Sequence, residues 1–359
     1  MVRMSSTRRP FVRVRTLFLV AALVAASWNT YATTRALLIG VSGYPNLSPA
    51  KRLAGPANDV SLMYGALLKA GLQQPNITVL ADGVSNSLAL PTRTQILDQM
   101  RALADRSQPD DWAIVYFSGH GSQQPQPLSE VRRPGAYIEP DGLDEIFLPY
   151  DVGQWNSKSS QVQGALIDDE IAVELDYFRR RGVKVWAIFD TCHAGDMAKS
   201  IAGFPTGNGL RFIDPAELGV PSIVLEESKA NAKARQAGAK TWNGFSRQAG
   251  RSIAPVMDAD RQLIFYASQP DEPAAEEPLA VPAGFAPSYK AGDRRYFGLF
   301  TYLIALELPK WRGDFAELAG RVREVYSSRP YPTPSFEGNL SIVPNFRPSA
   351  LTFGAKVSP

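Results

Sequence analysis

The chain has one cysteine, Cys192, and two histidines, His120 and His193, among 359 residues. A single cysteine excludes an internal disulfide. In an exported chain such a thiol is a reactive group, a partner for an intermolecular bridge, or an inert buried residue. Net charge is also scarce, at +3. Much of that excess is Arg3, Arg8, Arg9, Arg13 and Arg15, so the rest of the chain is close to neutral. Near-neutrality excludes the concentrated basic face of a nucleic-acid binder. The apolar run from Leu17 to Ala26 falls short of the ~20 residues of a comfortable membrane span. No internal repeat is present. What remains is ordinary globular composition, 45% hydrophobic and 20% charged, long enough for one large domain or two small ones.

The first residues read as an export signal. A basic segment precedes the run from Leu17 to Ala26, and Thr30-Tyr31-Ala32 supplies small residues before a cut. Residues 1–32 are therefore expected to direct the chain to the periplasm or outside the cell. An uncleaved anchor is the alternative, and membrane association is expected only in that case. Thr7-Arg8-Arg9-Pro10-Phe11 resembles a twin-arginine motif.

Beyond the signal, strand and helix patterns alternate. Ala36 to Val41 reads as a strand, and a helix runs from Asn58 to about Ala70 with Val60, Met63, Leu67 and Leu68 on one side. Ile77 to Leu80 is a second strand. Thr92-Arg93-Thr94-Gln95 is a capping box that starts a helix carrying Ile96, Leu97, Met100 and Leu103. Trp112 to Phe117 is the third strand, Asp168-Asp169 open a helix through about Arg181, and Val183 to Phe189 is the fourth strand. Alternation of this kind predicts βαβ units and a mostly parallel sheet. Ser122 to Pro140 reads as a loop, and polar Glu226 to Arg251 as an exposed linker. Gln262 to Ala267 reads as a strand and Asp271 to Gly292 as a loop. Tyr296 to Leu308 and Phe315 to Tyr326 read as helices, and Pro332 to Pro348 as irregular chain.

Two strands end in unusual residues. The third runs into Ser118-Gly119-His120-Gly121, and the fourth into Asp190-Thr191-Cys192-His193-Ala194-Gly195. Ligands in open α/β sheets sit at the carboxyl ends of strands, so both tips fall where chemistry occurs. Cysteine attacks as thiolate, and a free thiol has a pKa of ~8.5. A histidine nearby raises the thiolate fraction and later protonates a leaving amine. Backbone N–H groups facing a developing oxyanion complete the set. Cys192 is thus the candidate nucleophile and His120 the acid–base, with the N–H groups of Gly121 and Cys192 as oxyanion donors. His193 is read as structural, or as shaping its loop.

Tyr116-Phe117-Ser118-Gly119-His120-Gly121 together with Phe189-Asp190-Thr191-Cys192-His193-Ala194-Gly195 resembles the caspase-like cysteine peptidases, most closely the metacaspases. There the pair reads Tyr-Ser-Gly-His-Gly and Asp-Ser-Cys-His-Ser-Gly, so Thr191 and Ala194 stand in for two serines. The likeness is strong from Arg35 to Gly195 and looser from Gln262 to Phe346. It implies a caspase-like three-layer α/β/α sandwich with a mostly parallel central sheet. A large-subunit-like catalytic region would span 33–204 and a linker or long loop 205–260. A small-subunit-like region, 261–359, would complete the same sheet. It also implies cleavage of proteins or peptides after Arg or Lys through a thioester, with Asp59 and Asp190 meeting the basic side chain. A buried carboxylate pair needs a cation to offset its desolvation. For Asp59 the alternative is an acid favoured by the helix dipole. The resemblance further implies Ca²⁺ on Asp144, Asp168 and Asp169. Lys199 stands where the family has a fourth aspartate, with Asp196 as a substitute, and Asp168 could instead be a helix cap. Self-cleavage after a basic residue between Lys229 and Arg251 is a further expectation, and a monomer is the expected state. The competing readings are a caspase-like fold used for binding or scaffolding without catalysis, and another kind of thiol enzyme such as an acyltransferase.

Overall fold

The structure, a computed structural model, describes residues 32–127, 138–192, 209–239, 258–269, 272, 274–285, 289–328 and 332–344. The strands are β1 (Thr34–Gly40), β2 (Ile77–Ala81), β3 (Trp112–Ser118), β4 (Gly121–Pro125), β5 (Leu143–Phe147), β6 (Trp155–Asn156), β7 (Gln161–Val162), β8 (Leu166–Ile167), β9 (Lys184–Asp190), β10 (Gln262–Tyr266), β11 (Glu276–Ala280), β12 (Arg294–Gly298) and β13 (Ser335–Glu337). The helices are α1 (Pro56–Lys69), α2 (Arg93–Arg106), α3 (Asp168–Arg180), α4 (Ser222–Ala239), α5 (Leu299–Glu307) and α6 (Phe315–Tyr326).

Six strands form the central sheet in the order β13-β10-β9-β3-β1-β2. All pairings are parallel except β10 with β13. The inner strands are buried on both faces, which is why their sequences are continuously apolar rather than alternating. One face carries α1, α5 and α6, with Trp186, Trp311 and Phe315 at its centre. The Trp186 and Phe315 rings meet edge to face at 5.0 Å. The opposite face carries α2 and α3 through Ile96, Met100, Ile171, Leu175 and Phe178. This is the three-layer α/β/α sandwich that the motif pair implies. A smaller antiparallel sheet, β4-β5-β8, continues from the tip of β3.

The register of the two inner strands sets up the site. β3 and β9 pair from Trp112↔Lys184 to Ser118↔Asp190, so they end level. Residues 119–121 and 191–192 therefore leave the carboxyl edge of the sheet side by side.

Several segments differ from the sequence reading. Residues 121–125 are strand β4, not loop, because they pair with β5 through Gly121↔Phe147. The stretch read as a linker begins as α4; its Glu, Lys, Ala and Gln residues are good helix formers, and Ala232 is buried. Residues 240–257 lie outside the described residues. β11 interrupts the stretch read as loop, and the helix expected from Tyr296 begins only at Leu299, because Arg294–Gly298 pairs with β11. An apolar run alone does not separate strand from helix; the partner strand decides. Pro332 to Pro348 contains edge strand β13. Among the described residues no helix is long and apolar enough to cross a membrane.

Candidate active site

His120 and Cys192 sit on the adjacent tips, both buried. The tips touch backbone to backbone: a Cβ built on Gly121 would lie 1.9 Å from the Cys192 carbonyl oxygen. Only glycine allows that approach. The His120 N–H donates to the Tyr44 hydroxyl at 2.8 Å, and the two rings lie 5.0 Å apart. His120 Nε2 is 2.9 Å from the Lys51 carbonyl oxygen. A carbonyl can only accept, so this bond assigns the ring proton to Nε2. Nδ1 is then the basic nitrogen, and it is buried without a hydrogen-bond partner. Burial lowers the His120 pKa to about 4, so the ring is neutral at pH 7.

The thiol is engaged elsewhere. Cys192 Sγ accepts from the Ala274 N–H at 2.9 Å and donates to the Ala274 carbonyl at 3.2 Å. Burial pushes its pKa to about 12, so it is held as thiol. Cys192 and His120, the candidate nucleophile and base, lie on neighbouring tips, but sulfur and imidazole are not hydrogen-bonded to each other.

Asp59 and Asp190 come together, and between them lies a side chain that was not anticipated: Arg211. All three are buried. The Arg211 guanidinium contacts Asp59 Oδ2 through Nη2 and Asp190 Oδ1 through Nη1 at 2.9 Å. Nη1 also donates to Ser118 Oγ at 3.0 Å and to the Asp190 carbonyl at 2.8 Å. Glu276 Oε2 stands 4.0 Å away. The carboxylates are held from behind. Asp59 Oδ1 accepts from the Gly298 N–H at 2.9 Å, and Asp190 Oδ2 accepts from the Thr301 N–H at 3.0 Å. Thr301 lies in the first turn of α5, where the helix dipole favours an anion. Burial pushes Asp59 up to about 7, with the Asp190 charge adding and Arg211 opposing. Asp59 does occupy the first turn of α1, yet its oxygens are spent on Gly298, Ser118 and Arg211.

A second acidic group lies where β5 meets α3. Glu139, Asp144 and Asp168 are buried with carboxylate oxygens within 4.8 Å of one another. Both oxygens of Asp168 and one of Glu139 have no hydrogen-bond partner. Burial, then the neighbouring carboxylates, pushes Glu139 to about 11 and holds Asp168 well above the usual carboxylate range. Hard oxygen donors buried together fit a hard divalent cation such as Ca²⁺. Asp169 is half-buried and outside this group; Glu139 takes the third place. Asp168 is not the helix cap, because that position belongs to Ile167. His193, Asp196 and Lys199 lie outside the described residues.

Residues 34–200 match the family model of the metacaspase, peptidase C14 domain. This part of the chain is similar to metacaspase domains. Metacaspase-1 of Candida albicans is 32% identical over 169 residues, 47% of this chain and 35% of that protein. Metacaspase-1 of Schizosaccharomyces pombe is 34% identical over 162 residues, 45% of this chain and 34% of that protein. The chain thus spans about a third of the length of these curated relatives. A crystal structure of a protein from Geobacter sulfurreducens superposes with a TM-score of 0.50 at 18% identity. It covers 88% of this chain and 96% of that one, and shows likeness of fold alone.

The matched segment ends before several residues that line the same site. Arg211, Ala274 and Glu276 come from later in the chain, and Tyr44 and Lys51 from a loop after β1. One local signal pointed to Arg211: Leu210-Arg211-Phe212-Ile213 is a strand-like run with a lone cation inside. Ala274 contributes through its backbone, which leaves no mark in sequence.

Proposed function

We propose that the protein is a cysteine endopeptidase that cleaves after Arg or Lys. The observation that carries this reading is the buried guanidinium of Arg211 between Asp59 and Asp190, on the strand tips that bear Cys192 and His120. A cavity that holds one arginine by two carboxylates is suited to the basic side chain of a substrate. His120 Nδ1 would take the Cys192 proton, the thiolate would attack the carbonyl carbon, and the Gly121 N–H would meet the oxyanion. The proton would then pass to the leaving amine and water would resolve the thioester. Glu139, Asp144 and Asp168 would hold Ca²⁺, whose charge would offset that of the buried carboxylates. The basic and apolar N-terminal segment supports an exported protein, and the near-neutral body speaks against a nucleic-acid partner.

Fluorogenic peptides ending in Arg, Lys or Asp test the reading, with Cys192→Ala as control and with calcium or chelator present. Arg and Lys peptides should be turned over and Asp peptides spared. Equal rates on all three would remove the basic specificity. No turnover by wild type after calcium addition would favour the binding or scaffold reading, which the engaged, protonated thiol supports.

A further inference from the structure

We infer that residues 209–211 lie in the cleft as a bound substrate strand, and that the Arg211–Phe212 peptide bond is the site at which the chain cuts itself. This rests on the endopeptidase reading and names its first substrate. Four contacts define the pose. The Arg211 N–H donates to the Ala274 carbonyl at 3.0 Å, and the Glu276 N–H donates to the Gly209 carbonyl at 2.9 Å. Leu210 and Ala275 face each other as an antiparallel bridge, so the segment is added to a strand edge as an extended peptide would be. The Arg211 side chain fills the acidic site. Its carbonyl accepts from the Gly121 N–H at 2.9 Å, the donor assigned to the oxyanion.

The nucleophile is within the same local network. The Ala274 carbonyl that accepts from the Arg211 N–H also accepts from Cys192 Sγ, and the Ala274 N–H donates to the same sulfur. On the far side of the bond the chain is also held: the Ile213 N–H donates to the Gly121 carbonyl at 3.1 Å, and Ser122 Oγ donates to the Ile213 carbonyl at 2.6 Å. Side chain, carbonyl and flanking backbone are thus all placed, which is the entropic part of catalysis already met. The basic residues first considered for self-cleavage are placed differently. Lys229, Lys233 and Arg235 lie in α4, whose backbone bonds are internal, and a helix cannot pair as an extended strand.

What the described arrangement lacks is the aim of the sulfur. While Sγ is bonded to Ala274 and His120 Nδ1 is unpartnered, the bond is held and uncut, and the filled cleft excludes other substrates. Cleavage needs Sγ to leave Ala274 for Nδ1. Nδ1 takes the thiol proton, Sγ bonds to the Arg211 carbonyl carbon, and the C–N bond to Phe212 breaks as the proton passes to the Phe212 nitrogen. Water then hydrolyses the thioester, which frees the thiol and leaves Arg211 with a carboxylate. The products are one chain ending at Arg211 and one beginning at Phe212.

Intact mass and N-terminal sequencing of the purified full chain, incubated with calcium, test this beside the turnover of Arg-ended peptide. Wild type should yield a fragment beginning at Phe212 and gain peptide activity as it appears. Cys192→Ala should stay whole at that bond. Arg211→Lys, which keeps a cation between the carboxylates, should still be cut there, whereas Arg211→Gln should lose the cut. Peptide turnover by wild type with no fragment beginning at Phe212, or with a first cut between residues 229 and 251, would overturn the inference and leave the peptidase reading standing. Neither cleavage nor peptide turnover would sink both.

Discussion

His120 is a titratable group whose surroundings make a signed prediction. An ordinary histidine titrates near ~6.5, and burial lowers this one to about 4. Between those values the unfolded chain binds a proton that the folded chain does not. The stability contributed by the neutral ring is therefore fully present above about 6.5 and is lost as pH falls toward about 4, by ~3 kcal/mol in all. Denaturant unfolding of wild type and His120→Gln at a series of pH values isolates this group from other titrating residues. The difference between them should shift in the variant's favour across that window. A difference that stays flat from pH 7 to pH 4 would mean that the ring is solvated or protonated in the folded chain. The same residue shows what sequence can convey. Gly-His-Gly at the end of an apolar run announced a functional tip, but nothing in it announced the Lys51 carbonyl that fixes the tautomer. That contact comes from a loop about seventy positions earlier and is made by backbone, whose chemistry every residue shares.

At the scale of elements, the site depends on β3 and β9 ending level and on their tips meeting at Gly121. A Cβ there would overlap the Cys192 carbonyl oxygen, and both neighbours are backbone, which cannot turn aside as a side chain would. Gly121→Ala should destabilise the protein by about 1–3 kcal/mol, the usual cost of overpacking, and abolish peptide cleavage. Chemical denaturation reads the first effect; an unchanged midpoint would show that the tips can part freely. Elements defined by their own pattern were legible in sequence. α6 buries Phe315, Leu318, Ala319, Val322 and Tyr326 at helical spacing and is capped by Asp314, so Phe315 to Tyr326 needed no partner to be read. β12 was not legible, because Tyr296-Phe297 is equally apolar as helix or strand and only pairing with β11 decides. The acidic group at β5 and α3 was half legible: Asp144 and Asp168 belong to it, whereas Glu139 joins from across a turn. If it holds Ca²⁺, saturating calcium should raise the melting temperature by a few degrees, since ligand at a hundredfold excess over its Kd contributes about 2.7 kcal/mol. Asp168→Asn should remove that calcium response. An identical shift in wild type and variant would locate the cation elsewhere.

For the molecule as a whole, the point at issue is what a cut after Arg211 would separate. The bond lies between the segment similar to metacaspase domains and the part of the chain that supplies β10, β13, α5 and α6. Yet β10 pairs with β9 from Gln262↔Val185 to Tyr266↔Phe189, in the middle of the central sheet. Trp186, before the cut, packs on Phe265, Trp311 and Phe315, after it. Asp59 and Asp190 are fixed by Gly298 and Thr301, again across the division. Cleavage would therefore release the segment around 209–213 while leaving the core undivided, because the hydrophobic surface shared by the two fragments far exceeds what one peptide bond contributes. It would also open the acidic site, since Arg211 would then be a chain end held by side-chain contacts and a few backbone bonds rather than by continuity on both sides. The fragments ending at Arg211 and beginning at Phe212 should co-elute at the mass of the uncut chain on native size exclusion and separate only in denaturant. Their separation in native buffer would mean that β10 and α5 are not held by the sheet as described.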